Sequence, residues 1–361
     1  LLGVMAIYWG QRHFEEMTYF RSLAVRGQKL GIDVMVFSPE DADEGKHKVH
    51  GLMYSTARKA WVRSWRRFPD IVYDRCRNQA SPKFHQLREF RSKHPELIYL
   101  NRPLSNKWRV HQALSKNKDI RRHLPYTEPY SKVSELARLL RRKNPLYLKP
   151  INGTGGRGIL RIGRLANGRF SIQGRDPYRK IINPQTLSGK ELAVKLNSWV
   201  PQGKYIMQQG IDLTLPNGRV HDFRLLIQKN GDGEWNVTGC AGRVGPRRSV
   251  TSNLHGGGMA VPVDRLLSRR FSSSQQVEEI KRSMERLSHM TVQYLERTYG
   301  KLCELGLDIA VDPKGHVWLL EINPKPSREV FRQIGEKETY TQAISRPLQY
   351  AMWVFKQRKS G

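Results

Sequence analysis

Two short runs near the C-terminal end, Leu307 to Val311 and His316 to Asn323, are rich in β-branched and aromatic residues and flank Asp312-Pro313-Lys314-Gly315. Proline presets φ and glycine tolerates positive φ, so the tetrapeptide is a turn and the two runs are the arms of a β-hairpin. Three oxygen-bearing side chains interrupt the apolar pattern. Residues two apart on a strand share a face, which puts Glu321 with Asn323. If Asp312 and Gly315 close the turn, Asp308 falls opposite Leu319, diagonal to Glu321 and on that same face; a bulge at Gly315 would shift the register. Converging Asp, Glu and Asn oxygens are the hard ligands that Mg²⁺ takes, with a nucleotide's phosphates completing its octahedron. The competing account is an edge hairpin with polar residues turned to water. Leu319, Leu320 and Ile322 weigh against it, because they mark a buried strand in which carboxylates require a reason.

Charge is the compositional outlier: 63 Lys and Arg stand against 32 Asp and Glu, a formal +31. Such a field concentrates polyanions, whether nucleic acid, anionic polymer, acidic protein surface or anionic membrane. No zinc-finger, helix-turn-helix or RNA-recognition signature accompanies it, and the basic residues are dispersed, so nucleic acid is not expected as the main partner. At 361 residues the chain is too long for one small core and is expected to form two or three domains. No stretch approaches the roughly 20 unbroken apolar residues of a membrane helix. The opening residues show neither a basic n-region nor a cleavage pattern, so a cytoplasmic rather than secreted protein is expected. Cys76, Cys240 and Cys303 are few, odd in number and far apart, which favours a reducing compartment and offers no metal or disulfide framework.

Val4 to Tyr8, Phe14 to Leu30 and Ile32 to Phe37 read as strand, amphipathic helix and strand, a βαβ opening and hence a parallel sheet. The Trp61, Arg63, Trp65, Arg66, Arg67 stretch is expected to dock a strand onto its neighbours through its aromatic rings; stacking on bases is the weaker reading. Asp70 to Tyr73 and Pro82 to Ser92 read as a further strand and helix. Ser105 to Leu114 reads as a capped helix with Lys107 in its first turn, where the helix dipole disfavours a cation and a phosphate ligand would explain one. The strand ending Leu148-Lys149-Pro150 runs into Asn152-Gly153-Thr154-Gly155-Gly156-Arg157-Gly158 and back into Ile159 to Ile162. No Gly-Lys-Ser/Thr closes this loop and no helix follows it, so it is a hairpin flap, in which glycines admit phosphate oxygens to backbone N–H groups above Lys149. Arg175 to Lys180 is expected to be flexible, and Gly189 to Asn197 helical. Tyr205 to Leu213, with Gln208, Gln209 and Ile211, offers amides and apolar cover for a purine. Asp222 and Arg224 share a strand face. The stretch from Val244 to Gly258, with Arg247, Arg248 and Asn253, is expected to be a flexible polar loop beside Arg243, and Ser273 to Tyr299 one long helix.

In that order the parts resemble the ATP-grasp superfamily and, more narrowly, its spore-associated YheC/YheD-type group. Lys107-Trp108, Leu124-Pro125-x-Thr127, Lys149-Pro150, the Asn152 to Gly158 glycines and Glu321-Ile322-Asn323 carry the resemblance, over about Ile98 to Pro326. It implies an α/β (α+β) ATP-grasp fold: a Rossmann-like pre-ATP-grasp domain over 1–104, a small lid subdomain over 105–204, a large subdomain over 205–335, and a basic C-terminal helix or tail over 336–361. It further implies that Lys107 and Lys149 hold ATP phosphates under the flap of Gly153, Thr154, Gly155, Gly156 and Gly158. Gln208, Gln209 and Ile211 would line the adenine slot, with Asp212 at the ribose, although many relatives carry Glu where Gln208 stands. Asp308, Glu321 and Asn323 would bind one or two Mg²⁺, with Mn²⁺ as a substitute, and Arg224, Arg243 and Asn253 would face the acceptor as catalytic groups. The implied activity is carboxylate–amine ligation through an acyl phosphate, on an acidic peptide or anionic polymer acceptor with an amine donor, in the mother cell or forespore, with spore-coat association as a further expectation. A phosphotransferase or a structural coat protein on the same scaffold are the alternatives.

Overall fold

Leu2–Met5, Val34–Phe37 and Ile71–Asp74 are apolar runs buried on both faces, as strands of a parallel sheet must be. In the computed structural model, which describes residues 1–9, 13–76, 83–153, 155–201 and 204–360, they pair in parallel with Leu2–Met5 central, and Ile98–Leu100 extends the sheet. The crossover helix Met17–Lys29 buries Phe20, Leu23 and Ala24 on one face, in a core it shares with Ile344, Leu348 and Val354 of the C-terminal helix Lys337–Ser360. Leu87 and Phe90 of Lys83–Lys93 cover the other face. The C-terminal segment is therefore a packed helix rather than a tail. Along the edge, Lys48–Ser55 pairs with Ala60–Arg67, where His50 stacks on Trp65 at 4.6 Å and Tyr54 meets Trp61 at 5.3 Å. Cross-strand rings of this kind fix a hairpin, which is the docking use expected of that Trp/Arg run.

The second sheet is antiparallel, in the order Thr127–Pro129, Tyr205–Gln209, Leu146–Pro150, Ile159–Arg164, Phe170–Arg175, Ile181–Leu187. The helices Val133–Leu140 and Gly189–Trp199 close its core through Leu136, Leu139, Leu192 and Leu196. A boundary at 204/205 cuts this sheet, because Tyr205–Gln209 pairs with Leu146–Pro150 along its whole length. The helices Lys107–Ser115 and Lys118–Arg121, expected in the lid, instead place Val110, Leu114 and Ile120 in the core of the third sheet.

That third sheet runs Met259–Pro262, Trp235–Val244, His221–Lys229, Glu304–Val311, Val317–Asn323. The helix Ser274–Tyr299 covers it with Val277, Ile280, Met284, Leu287, Val292 and Leu295, a stripe at helical spacing. Ser273 Oγ accepts from the Gln276 amide to start this helix, and Gly300 at φ +86° ends it. Strand alternation aims Leu305, Leu307, Ile309 and Val311 at the helix. Each side chain fully buried in this way contributes about 1.5–3 kcal/mol. The same alternation turns Glu304, Gly306, Asp308 and Ala310 to the other face, where carboxylates meet the rest of the molecule.

The hairpin differs from its expected register in two places. Asp312 N–H bonds to His316 O, a turn one residue longer than Asp312 to Gly315 allows, and a bulge at Leu320 then shifts the ladder so that Asp308 pairs directly with Glu321. The two shifts leave Asp308, Glu321 and Asn323 on one face.

Candidate active site

Between the second and third sheets lie two adjoining cavities, each with about 80 Å³ of enclosed space. Lys149, Gln208, Leu320 and Glu321 border both. The first is also walled by Tyr147, Gln209, Ile211, Asp222, Thr251, Asn253 and Asp308, the second by Lys107, His111, Thr127 and Ile206. Lys149 reaches this position as the fourth residue of Leu146–Pro150, where Leu146 and Leu148 anchor the opposite face of the strand. Its Nζ donates to Gln208 Oε1 at 2.5 Å, and Gln208 Nε2 in turn donates to Thr127 Oγ1 at 3.2 Å. Burial pushes the Lys149 ammonium down to about 8, with Glu321 opposing the shift and Lys107 adding to it. Lys107 opens its helix behind Asn106, whose Oδ1 accepts from the Arg109 amide, and its Nζ lies 3.3 Å from Glu321 Oε1.

Across the cavity floor Arg224 Nε donates to Asp308 Oδ1 at 2.7 Å. Arg243 grips Asp222 with two bonds of 2.7 and 2.6 Å and reaches Asp308 Oδ2 at 3.1 Å. Burial by itself would raise the Asp308 carboxyl, but the Arg224 and Arg243 guanidiniums override it and hold the group well below the usual carboxylate range. Asp222 and Arg224 do share a face, yet each pairs with a residue of a neighbouring strand. Arg243 sits in the strand Trp235–Val244, not in the following loop.

The flap is down. Gly156 has φ +74°, and a Cβ there would stand 2.5 Å from Asn253 Nδ2, so flap and loop touch only because the residue is glycine. The loop is packed in part: Ser249, Val250 and Ser252 are buried, while Arg247 and Arg248 are exposed and lie outside both cavity walls. Asp212 also stands outside them, exposed, with Oδ1 accepting from the Thr214 amide. Thr154 falls outside the described residues. Asn323 lies opposite Gly306, and its Nδ2 is buried with no hydrogen-bond partner among the described residues.

This donor set fits Mg²⁺ in one particular way. Asp308, Glu321 and Asn323 provide hard oxygens on adjacent strands, but among the described residues no group of three or more His, Cys, Asp or Glu side chains forms a metal cage. An ion there needs further oxygens from a phosphorylated ligand, which is how Mg²⁺ binds with nucleotides. Thr127, Asp222 and Thr251 stand on the walls without a site role expected from the sequence, although Thr127 closes the Leu124-Pro125-x-Thr127 motif. The sequence signal for Asp222 is its spacing from Arg224, and the Thr127 signal its place after Leu124-Pro125.

A family model described as YheC/D like ATP-grasp matches residues 96–354. The chain is similar to the endospore coat-associated protein YheC of Bacillus subtilis (strain 168), at 30% identity over 362 residues, covering 99% of this chain and 96% of that protein. Among solved structures it resembles the D-cycloserine synthetase DcsG, with a TM-score of 0.53, 13% identity and coverage of 96% and 99% of the two chains. It also resembles the VanG D-Ala:D-Ser ligase of Enterococcus faecalis, with a TM-score of 0.51, 11% identity and coverage of 97% and 99%. At such identities the structures speak for the fold alone. The family model, the relative matched along nearly its whole length and the two sheets facing across adjoining cavities agree: the chain belongs to the YheC/D-like family of ATP-grasp proteins.

Proposed function

We propose that the protein is an ATP- and Mg²⁺-dependent carboxylate–amine ligase. The observation that carries this reading is that two cations, Lys107 and Lys149, and two carboxylates, Asp308 and Glu321, line two adjoining cavities that share Lys149 and Glu321, with Asn323 two residues from Glu321 on the same strand face. Lys107 and Lys149 would hold the nucleotide's phosphates, and Gln208, Gln209 and Ile211 its base. Each cavity of about 80 Å³ is below the few hundred Å³ of a typical ligand site, so a nucleotide would have to occupy both or the cleft would have to widen. Asp308, Glu321 and Asn323 would hold Mg²⁺, which supplies charge neutralisation on the transferring phosphoryl group.

An acceptor carboxylate oxygen then attacks the γ-phosphorus and ADP leaves, giving an acyl phosphate. An amine attacks that carbonyl carbon, its proton is lost, and phosphate departs. Arg224 commits only Nε to Asp308, so its outer nitrogens are the donors available to the developing oxyanion. Arg243 is fixed by Asp222 and Asp308 and, with Arg224, balances their two charges, so it holds Asp308 in place. Asn253, held against Gly156, closes the acceptor side and excludes water that would hydrolyse the acyl phosphate. The names of the two structural relatives, a synthetase and a ligase, support bond formation over simple phosphorylation. A net charge of +31 favours an acidic peptide or polymer as the acceptor, and the YheC name supports a place in or near the spore coat.

Incubation with ATP, Mg²⁺, candidate acidic peptides and amines, read by mass spectrometry, tests the reading. Condensation adds the amine less one water. A product carrying only added phosphate would replace the ligase by a phosphotransferase, and unchanged ATP would remove both.

A further inference from the structure

The turn between Phe170–Arg175 and Ile181–Leu187 holds two guanidiniums in an unusual setting. Arg175 is 2% exposed, like Arg75, and is buried as Arg243 is, but those two are ion-paired whereas Arg175 pairs with no carboxylate among the described residues. Its three nitrogens donate to neutral oxygens: Ser249 Oγ at 3.1 Å, Gly256 O at 2.7 Å and Arg179 O at 3.2 Å. A Cβ on Gly256 would stand 2.4 Å from its Nη1, so the contact between lid and loop depends on that glycine. Arg179 follows at φ +70°, a left-handed conformation that a non-glycine residue adopts at a cost. Its guanidinium donates no hydrogen bond to any described residue, and Nε is buried without a partner. Asp176, the adjacent carboxylate, is occupied by the Tyr178 and Lys180 amides. Burial first, and then Arg157, disfavour the charge on Arg179, and Glu15 partly offsets them.

Arg179 is half-buried and water can reach its outer nitrogens, but its buried Nε, beside a carboxylate-free guanidinium, leaves one donor for an anion to take. Its location identifies which one. A Cβ on Gly155 would lie 2.8 Å from Arg179 Nη2, and the next glycine, Gly156, touches Asn253 on the cavity wall. Arg179 therefore sits behind the flap, towards the first domain, and on neither cavity wall that Lys107 and Lys149 border. We propose that Arg179, backed by Arg175, is an oxyanion seat for the second substrate, taking its carboxylate or phosphate in the bidentate manner of a guanidinium fork. The strained turn holds the fork in place before substrate arrives. The assignment rests on the ATP-grasp ligase reading, since it defines the acceptor side by the flap.

Full-length protein is first titrated calorimetrically with Mg²⁺ and a non-hydrolysable ATP analogue; absence of binding would sink the ligase reading itself. Saturated with that analogue, it is then titrated with inorganic phosphate and, separately, with tri-L-glutamate. Wild type is expected to bind at least one of them, Arg179→Lys to bind it more weakly, and Arg179→Gly at least tenfold more weakly. Arg179→Gly also relieves the left-handed backbone, so its melting temperature should not fall, which separates loss of the seat from loss of the fold. Nucleotide affinity should stay within twofold in both variants. Binding of neither probe by wild type, equal binding by Arg179→Gly, or a fall in nucleotide affinity overturns the seat while the ligase reading stands. Preference for tri-L-glutamate or for phosphate identifies the source of the oxyanion.

Discussion

Two carboxylates four residues apart on one face of one buried strand meet opposite fates. Glu304 is completely saturated: Arg75 Nη1 donates at 2.8 Å, Tyr73 Oη at 2.5 Å and Gln228 Nε2 at 2.9 Å, with Arg328 paired to its second oxygen. Arg75 goes on to Glu16 at 2.7 Å, and both arginines lie over the Tyr19 ring. This cluster pins the first domain and the segment after the hairpin onto the third sheet. Asp308 has comparable partners, yet it lines a cavity together with Glu321, whose pair with Lys107 is loose, and beside them the outer nitrogens of Arg224 and the Asn323 amide are uncommitted among the described residues. A closed polar network specifies structure, and an open one awaits a ligand.

The comparison predicts its largest effect at the closed cluster. Glu304→Ala leaves Arg75 and Arg328 buried short of a counter-ion, so urea denaturation should show a loss of about 3–5 kcal/mol, the range for breaking one side of a buried pair. A variant as stable as the parent would dissolve the distinction between the two clusters. Glu321→Ala, at the open one, should do the reverse. Its melting temperature should hardly move, because no large apolar surface is lost. Mg²⁺-dependent ATP turnover should fall roughly 10²–10³-fold, the scale seen when a single preorganised electrostatic group is removed. Undiminished turnover would end the metal assignment.

Lys149→Met sharpens the contrast at smaller scale. The thioether keeps the aliphatic stem and loses the charge, so calorimetry should show nucleotide binding weakened by roughly 1.5–3 kcal/mol, the worth of a charge-assisted hydrogen bond. Unchanged affinity would place this lysine outside the site.

The open cluster was far more legible in the sequence than the closed one, for a physical reason. Asp308, Glu321 and Asn323 lie on a hairpin whose strand period and turn residues are local, and Lys149 immediately precedes its glycine flap. Glu304, Arg75 and Arg328 are joined across 229 and 24 residues of chain, and nothing in the neighbourhood of any of them announces the others. Register was the weak point even locally. The longer Asp312–His316 turn and the Leu320 bulge have no residue signature, and only because they add to a whole number of strand periods do the three ligands keep a common face. Arg175 to Lys180 shows the converse: its basic character reads as a flexible segment, whereas three hydrogen bonds to neutral oxygens bury Arg175 between lid and loop, and Pro177, Tyr178 and Lys180 are exposed.

The smallest effect expected, and the one most specific to the open cluster, is a pH dependence. Burial holds Lys149 at about 8 in the free protein, against 10.5 for an unperturbed lysine. Between those values the unfolded chain binds more proton than the folded one, so this lysine's contribution to stability is unfavourable below about pH 8 and improves as pH rises towards 10.5. Nucleotide binding has the opposite sign, because bound phosphates favour the charged ammonium and raise its pKa. No proton is exchanged at this group at pH 7, where it is charged in both states. Above about pH 8 binding takes up a proton, and affinity falls by at most about tenfold per pH unit, equivalent to 1.4 kcal/mol. Calorimetry at pH 8.5 in buffers of different ionisation enthalpy should therefore register proton uptake in the wild type and less in Lys149→Met; titration of the ligand itself is common to both proteins and cancels. Equal uptake by the two would mean that the ammonium does not meet the phosphates, even if Lys149→Met binds nucleotide poorly, and its effect on affinity would then be steric.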